Sequence, residues 1–520
     1  MNNQIELQSL EEATAIFCRE VGVANIEVDK QYVGNLEFLK FKLGKECPLY
    51  AHALFATQQN LSPFNIYKGA LGITTTSARS FPESIEARAL LTLLARSTRE
   101  VSQGDRAQGY TLPYVPFQHR EDHTLAQPAN HIVRGRRGVG KSTLIRRASE
   151  LLSHSKAAIC VIDMQSYSTL GEDDLQRELF IDICSMLHGA FSSVASRLQE
   201  ILDLSGLQQV KSGIFDGSIA TNKIPISLKR AISSLTKDKN YNAFIFLDDF
   251  HLINREIQPK ILHSLLASLK GANAWLKIIG ITSLLNTFDP KTSHGLQTPG
   301  DAEFISLDLT LENPEAAENH LKSILKGFLH AVGYEQNTTV MSDAAFRRLA
   351  WANAGVPRDF LQMFSRSLEH AARNKHTSVT LSDINVAIGE FGQQKLRELE
   401  VDARNDAGKI REMLDLLESL CLETEKKNAF LIRSTNSTER LIVQILSDLR
   451  LVHLIHQSIT PKKAGERFEA FILDYSLFTG FRRRPNVVEM IPKDSQFKAS
   501  ELRALPKVMP GFFSKALESS

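Results

Sequence analysis

The chain has 520 residues, 43% hydrophobic and 23% charged, with a formal net charge of +2. That length excludes a single ordinary core and fits about three or four domains of a soluble globular protein. The charge balance neither requires nor forbids a polyanion partner, so any nucleic-acid surface has to be local.

Five cysteines, Cys18, Cys47, Cys160, Cys184 and Cys421, form no C-x-x-C pair and no zinc spacing. They read as small core residues in a reducing compartment. The opening Met1-Asn2-Asn3-Gln4-Ile5-Glu6 lacks the basic flank and apolar run of a signal peptide. No uninterrupted apolar run is long enough to span a bilayer. The expectation is a cytoplasmic protein with no membrane partner.

Residues 11–21 read as a short helix, 35–43 alternate like a strand, and 84–99 read as a surface helix. Residues 104–116, with two prolines and two glycines, look like a linker. This first stretch carries no chemical motif and is expected to be an accessory or partner-binding α+β domain.

Ile132 and Val133 lead into Gly135-Arg136-Arg137-Gly138-Val139-Gly140-Lys141-Ser142, followed by a helical segment from Thr143. The octet fits the Walker A pattern G-x-x-x-x-G-K-[ST] at every fixed position. Its glycines let successive backbone N–H groups wrap a polyphosphate, and the following helix offers its positive N-terminus to the same anion. Lys141 then reaches the β- and γ-phosphates, and the Ser142 hydroxyl binds Mg²⁺. Such a loop binds a nucleoside triphosphate. Arg136 and Arg137, inside it, are expected at a lid or subunit interface.

Residues 157–162 read as a second strand ending at Asp163, 173–191 as a helix, 202–225 as a turn-rich insertion, and 226–235 as a helix. The apolar strand 243–247 then delivers Asp248-Asp249. Asp248 is placed to hold Mg²⁺ with Ser142 as the Walker B acid. Asp249 stands where such ATPases usually carry a water-orienting glutamate, one methylene longer. The next strand, 275–281, ends at Thr282-Ser283; Thr282 or Ser283 is the candidate for a polar tip touching the γ-phosphate, with Asn286 close behind. Residues 303–309 read as the last core strand.

From Asn313 the pattern turns helical, over 313–329, 342–352, 357–373 and 381–399, with Ser342 and Ser382 suited to N-caps or first turns. Pro357 suits a first helical turn, and Arg358 beside it is placed to contact the γ-phosphate from a helical lid. Residues 410–421 and 437–449 read as helices, the latter packed through Leu441, Ile442, Ile445 and Leu449. Strands at 428–432, 451–455 and 468–473 surround them, and Lys462 and Lys463 form a basic tip between the last two. Beyond lies Arg482-Arg483-Arg484, in a tail from 482 to 520 with eight Lys or Arg against four acids. That excess would neutralise only a few phosphates.

These residues resemble the AAA+ ATPases, and within them the initiator clade of origin-recognition proteins and the related STAND switch ATPases. The matching features are Gly135 to Ser142, Asp248-Asp249, Thr282-Ser283 and Gly355-x-Pro357-Arg358. The resemblance implies an α/β core with a five-stranded parallel sheet, a helical lid, ATP and Mg²⁺ as ligands, and slow ATP hydrolysis that drives assembly or a switch. It also implies a C-terminal winged helix, which in initiators binds double-stranded DNA and would use Lys462, Lys463, Arg482, Arg483 and Arg484 on phosphates. The expected domains are 1–115, the core 116–310, the lid 311–400, the winged helix 401–480 and a basic tail 481–520. Arg255, Arg347 and Arg348 are the candidates for an arginine finger in a homo-oligomer. The alternative is a STAND-like switch that senses a trigger and works with a separate effector protein, for example in antiphage (antiviral) defence. A metabolic kinase fits poorly, because no His or carboxylate cluster offers an acceptor site.

Overall fold

The computed structural model describes residues 2–33, 36–44, 46–75, 80–98, 112–237, 240–282, 284–334, 340–402, 407–435, 437–460, 466–479, 487–490 and 497–514. The chain divides into two compact units, Pro116–Asp308 and the pair Met1–Val115 with Leu309–Ser520. The expected boundaries at 115 and 310 fall beside the joints of these units, and those at 400 and 480 fall inside the larger one.

The N-terminal segment runs α1 (Asn2–Val21), β1 (Val28–Val33), β2 (Leu36–Leu43), α2 (Pro48–Asn60), β3 (Leu71–Thr75) and α3 (Ile85–Thr98). Its sheet has the order β1-β2-β3, with β2 antiparallel to β1 and parallel to β3. Leu39, Phe41 and Leu43 alternate to the buried face of β2, and Phe17 of α1 stacks on Phe41 with ring centroids 3.9 Å apart. The helix read at the surface is instead a core element. Leu90, Leu93 and Leu94 of α3 are buried, each contributing about 1.5–3 kcal/mol by leaving water.

The smaller unit contains α4 (Glu121–Leu125), β4 (His131–Arg134), α5 (Lys141–Leu152), β5 (Ala157–Asp163), α6 (Glu172–Leu198), α7 (Ser205–Phe215), α8 (Ile224–Thr236), β6 (Asn242–Asp248), α9 (Gln258–Leu269), β7 (Ala274–Gly280), β8 (Phe288–Asp289), β9 (His294–Gly295) and β10 (Glu303–Ser306). Five strands form one parallel sheet in the order β10-β4-β7-β6-β5. The run Phe244-Ile245-Phe246-Leu247 is buried throughout because both sheet faces are covered. Phe244 and Phe246 pack with Leu144 and Ile145 of α5 on one face. Ile245 and Leu247 pack with α6, α8 and α9 on the other.

The insertion read as turn-rich contains a helix, α7. Leu207, Val210 and Ile214 supply its buried face. Gly213, which weighs toward a turn in sequence, marks a close approach instead, since a Cβ there would meet Ile219 at 2.7 Å. By length and composition α6 is long and apolar enough to cross a membrane. Ten of its residues, from Leu175 to Ala195, are buried inside the unit, as in the core helix of a soluble domain.

One polar cluster lies inside this sheet. Lys277 of β7 is fully buried and donates to the carbonyls of Gln127 (2.7 Å) and Ala129 (2.6 Å) and to Nδ1 of His131 (2.8 Å). Three acceptors match the three ammonium hydrogens. Burial lowers Lys277 to about 7; burial and the lysine's charge lower His131 to about 3.

The larger unit continues with α10 (Pro314–Ala331), α11 (Asp343–Ala352), α12 (Pro357–Arg373), α13 (Leu381–Asp402), α14 (Ala407–Glu418), β11 (Ala429–Arg433), α15 (Thr438–Asp448), β12 (Val452–Ile459), β13 (Phe468–Leu473) and α16 (Ala499–Arg503). Asn313, Ser342 and Ser437 cap α10, α11 and α15 by accepting backbone N–H groups, each cap contributing about 1 kcal/mol. Ser382 lies inside the first turn of α13, and Thr380 makes the capping contacts, with Asp383. The strands form an antiparallel sheet in the order β11-β13-β12.

The packed face of α15 differs from expectation. Ile442, Val443 and Leu446 are buried, whereas Leu441 and Ile445 are exposed at 53% and 44%. A run of five apolar residues in six positions gives no single period, so the sequence alone leaves the face open.

A buried charge network ties these elements together. Lys395 of α13 lies 2.6 Å from Asp474 and 3.6 Å from Asp359 of α12. Arg450 pairs with Asp359, and Nε2 of His453 on β12 meets Asp474 at 2.7 Å. Burial alone would raise the Asp474 carboxyl, but Lys395 and His453 outweigh it and hold it well below the usual carboxylate range. All five cysteines are free and buried, as expected of core residues. Lys462, Lys463, Arg482, Arg483 and Arg484 lie outside the described residues.

Candidate nucleotide site

Strand β4 ends at Arg134, and the chain turns through Gly135 to Gly140 into α5, whose first residue is Lys141. Gly140 makes that turn at φ +104, a conformation side chains rarely adopt, and an added Cβ would also press on the Phe117 ring at 3.4 Å. Lys141 folds back inside the curve, donating to the carbonyls of Gly135 (3.0 Å) and Arg136 (3.1 Å). The loop thus carries its cation within. Val139 is buried, and Ser142 and Thr143 open α5 on the exposed side.

Arg136 is turned inward. Its backbone N–H and its Nε both donate to Oδ1 of Asp308, at 2.9 and 3.2 Å, and the residue is buried. Arg136, expected with Arg137 at a lid or subunit interface, is held here by Asp308, whereas Arg137 is exposed. Asp308, just past β10, is a site residue that motif reading missed. Its only signal was a carboxylate following the carboxyl end of a parallel strand, where such sheets bind ligands.

Asp248 ends β6, and its Oδ2 accepts the Ser142 hydroxyl at 2.9 Å. Its Oδ1 accepts the backbone N–H of Asp249 at 3.0 Å. Burial, reinforced by the neighbouring Asp249 charge, pushes Asp248 up to about 6, while the Ser142 hydrogen bond and Lys141 pull the other way. Asp249 takes a left-handed backbone, φ +52, which turns its side chain out of the strand register. His251 follows in a short 3₁₀ turn. Its Nδ1 lies 3.8 Å from Asp249 Oδ1, and its side chain is 8% exposed. Burial lowers this imidazole to about 4 against the pull of Asp249, and the charges of Lys141 and Arg137 act in the same direction as burial.

Ser142 and Asp248 fit a Mg²⁺ ion. Both are hard oxygen donors, already adjacent, and a nucleotide-bound Mg²⁺ needs only one or two side-chain oxygens besides phosphate and water. Thr282 is exposed just beyond β7, the strand between β4 and β6. Ser283 lies outside the described residues. Asn286 donates its backbone N–H to Gln258 (2.7 Å) and its side-chain amide to the carbonyl of Arg255 (3.2 Å).

Pro357 and Arg358 belong to the other unit, where they open α12 and are half-buried. The preceding turn is fixed by Gly355, at φ +79, where a Cβ would stand 2.5 Å from the carbonyl oxygen of Leu309. Arg348 is engaged by Glu489 at 2.8 Å and Arg347 by Glu318 at 3.9 Å.

Residues 123–325 match the family model of the KAP family P-loop domain. No curated protein matches the chain. Similar solved structures include Drosophila ORC bound to DNA, 15% identical over 77% of this chain and 92% of that one, with a TM-score of 0.36. Others are Cdc6p from Pyrobaculum aerophilum (14%, 80% and 98%, TM-score 0.35) and the Aeropyrum pernix ORC1 protein in complex with DNA (15%, 69% and 90%, TM-score 0.33). The family match agrees with the P-loop reading of the sequence.

Proposed function

We propose that this chain, whose core is a P-loop NTPase domain of the AAA+ type, is a slow ATPase that uses ATP as a conformational or assembly switch. The observation that carries the reading is the hydrogen bond between Ser142 and Asp248, which brings the two magnesium-binding side chains together at the mouth of the loop holding Lys141. In this reading the loop amides and Lys141 bind the β- and γ-phosphates, and Asp249 orients the attacking water. Magnesium, when bound, supplies positive charge to the phosphate oxygens. Thr282 reads the γ-phosphate from the sheet. The buried network at Asp359 ties α12 to α13 and to the C-terminal sheet within the larger unit.

We read the segment from α14 to β13 as a winged helix, supported by its helices and its antiparallel sheet of order β11-β13-β12. In the DNA-bound version Lys462, Lys463 and Arg482 to Arg484 contact phosphates in the cytoplasm. A protein partner is favoured by one observation: the exposed face of α15 carries Leu441 and Ile445, and its Arg440 is held by Glu469 through two contacts, 2.8 and 3.1 Å. That is the STAND-like version, with a separate effector as in antiphage defence. The test is Mg-ATP turnover and particle size of the full chain, with and without duplex DNA at low salt. DNA-stimulated, salt-sensitive binding supports the first version. Turnover that ignores DNA, with assembly driven by ATP, supports the second. No nucleotide binding would overturn both.

A further inference from the structure

The segment after the paired aspartates holds a group that the phosphate-site residues leave unused. The His251 side chain is more than nine-tenths buried, yet its Nδ1 has no hydrogen-bond partner among the described residues. Such an atom costs about 1–3 kcal/mol when left unsatisfied, so its retention calls for a reason. The ring is not turned away into the core: Asp249 Oδ1 lies 3.8 Å from that nitrogen, and the ring feels the charges of Lys141 and Arg137 of the phosphate loop. A separation of 3.8 Å is too long for a direct hydrogen bond and short enough for one water to reach both atoms at ordinary hydrogen-bond length. The backbone sets up this pairing. The left-handed turn at Asp249 and the 3₁₀ turn after it fold the chain so that residues two apart face the same point.

We infer that His251 is a water-positioning residue: its Nδ1 and the Asp249 carboxylate together hold the water that attacks the γ-phosphate. The inference rests on the ATPase reading above and deepens it. Asp249 is one methylene shorter than glutamate, and a second holder supplies the fixity that its reach lacks. In the step itself the water oxygen bonds to the γ-phosphorus as the bond to the β,γ-bridging oxygen breaks. ADP leaves with that electron pair. The water's proton passes to Asp249 and from there to solvent or phosphate. His251 stays neutral throughout and moves no proton; it fixes direction.

The test uses the full chain and measures Mg-ATP affinity and single-turnover phosphate release separately. His251→Ala is expected to slow release about 100-fold, within the range for positioned acid–base groups, with nucleotide affinity within about threefold of wild type. His251→Asn, which keeps a polar atom near Nδ1, is expected to recover part of the rate. The decisive arm is Asp249→Glu, whose longer carboxylate can hold the water by itself. In that background His251→Ala should cost no more than about threefold, because the two groups act as one unit. An equal cost in both backgrounds marks a packing role and overturns the inference, as does a His251→Ala protein that turns over like wild type. Absence of turnover in the wild-type chain overturns the ATPase reading, and this inference with it.

Discussion

Ser142 and Asp248 stand 106 positions apart, yet the serine hydroxyl donates to the aspartate carboxylate at 2.9 Å. The parallel sheet brings them together by ending β4 and β6 at the same edge, with β7 between them. Replacing Asp248 by Asn keeps the shape and removes the charge. We expect Asp248→Asn to retain folding and nucleotide binding without metal while losing the Mg²⁺ dependence of affinity, read by titrating ATP with and without Mg²⁺. Equal metal dependence in variant and wild type would place the ion elsewhere.

Asp308 fixes the phosphate loop through Arg136. Asp308→Ala leaves a buried guanidinium and a loop N–H without this acceptor, at a cost of about 1.5–3 kcal/mol for charged hydrogen bonds. The expected result is a lower unfolding midpoint together with weaker ATP binding. Conversely, saturating ATP should restore part of the midpoint, since a ligand that binds only the native state stabilises it.

The network of Asp359, Lys395, Arg450, His453 and Asp474 predicts a stability effect with no direct part in phosphate binding. Asp474→Ala removes the nearer of the two carboxylates that pair with buried Lys395 and is expected to destabilise the larger unit by about 3 kcal/mol in denaturant titration. Asp474 is held below its ordinary value, so its contribution is full above about pH 4, the unfolded value, and is lost as pH falls through the lower folded value. The variant should therefore show a flatter acid limb than wild type.

His131 gives a second pH signature, in the smaller unit. Folded, it is lowered to about 3 from 6.5, so the unfolded chain binds the proton first. Its contribution is present above pH 6.5 and is lost as pH falls from 6.5 toward 3. His131→Gln, which can still accept from Lys277, should lose this slope while keeping neutral-pH stability within about 1 kcal/mol, measured by thermal unfolding across that range.

The phosphate loop and the acid strand were legible because their chemistry fixes residue type at fixed spacing, and because strand and helix periods on either side are unambiguous. Helix α12 was legible to the residue, since Pro357 can only open it. Other features depend on tertiary partners. The burial of α3 is set by elements more than 200 positions away, and α7 was hidden by Gly213, which serves close packing rather than turning. Asp308 and His251 belong to no fixed motif; only the folded positions of Arg136 and Asp249 give them meaning. On α15 both faces are apolar, so composition could not choose the packed one.

The proposed switch depends on a loop that binds ATP through Lys141 and prepares it for hydrolysis. The direct measurement is Mg-ATP binding and phosphate release for wild type and Lys141→Ala, with unfolding curves recorded for both. The variant is expected to stay folded and to lose triphosphate affinity and turnover together. A folded Lys141→Ala protein that binds and hydrolyses ATP like wild type would contradict it.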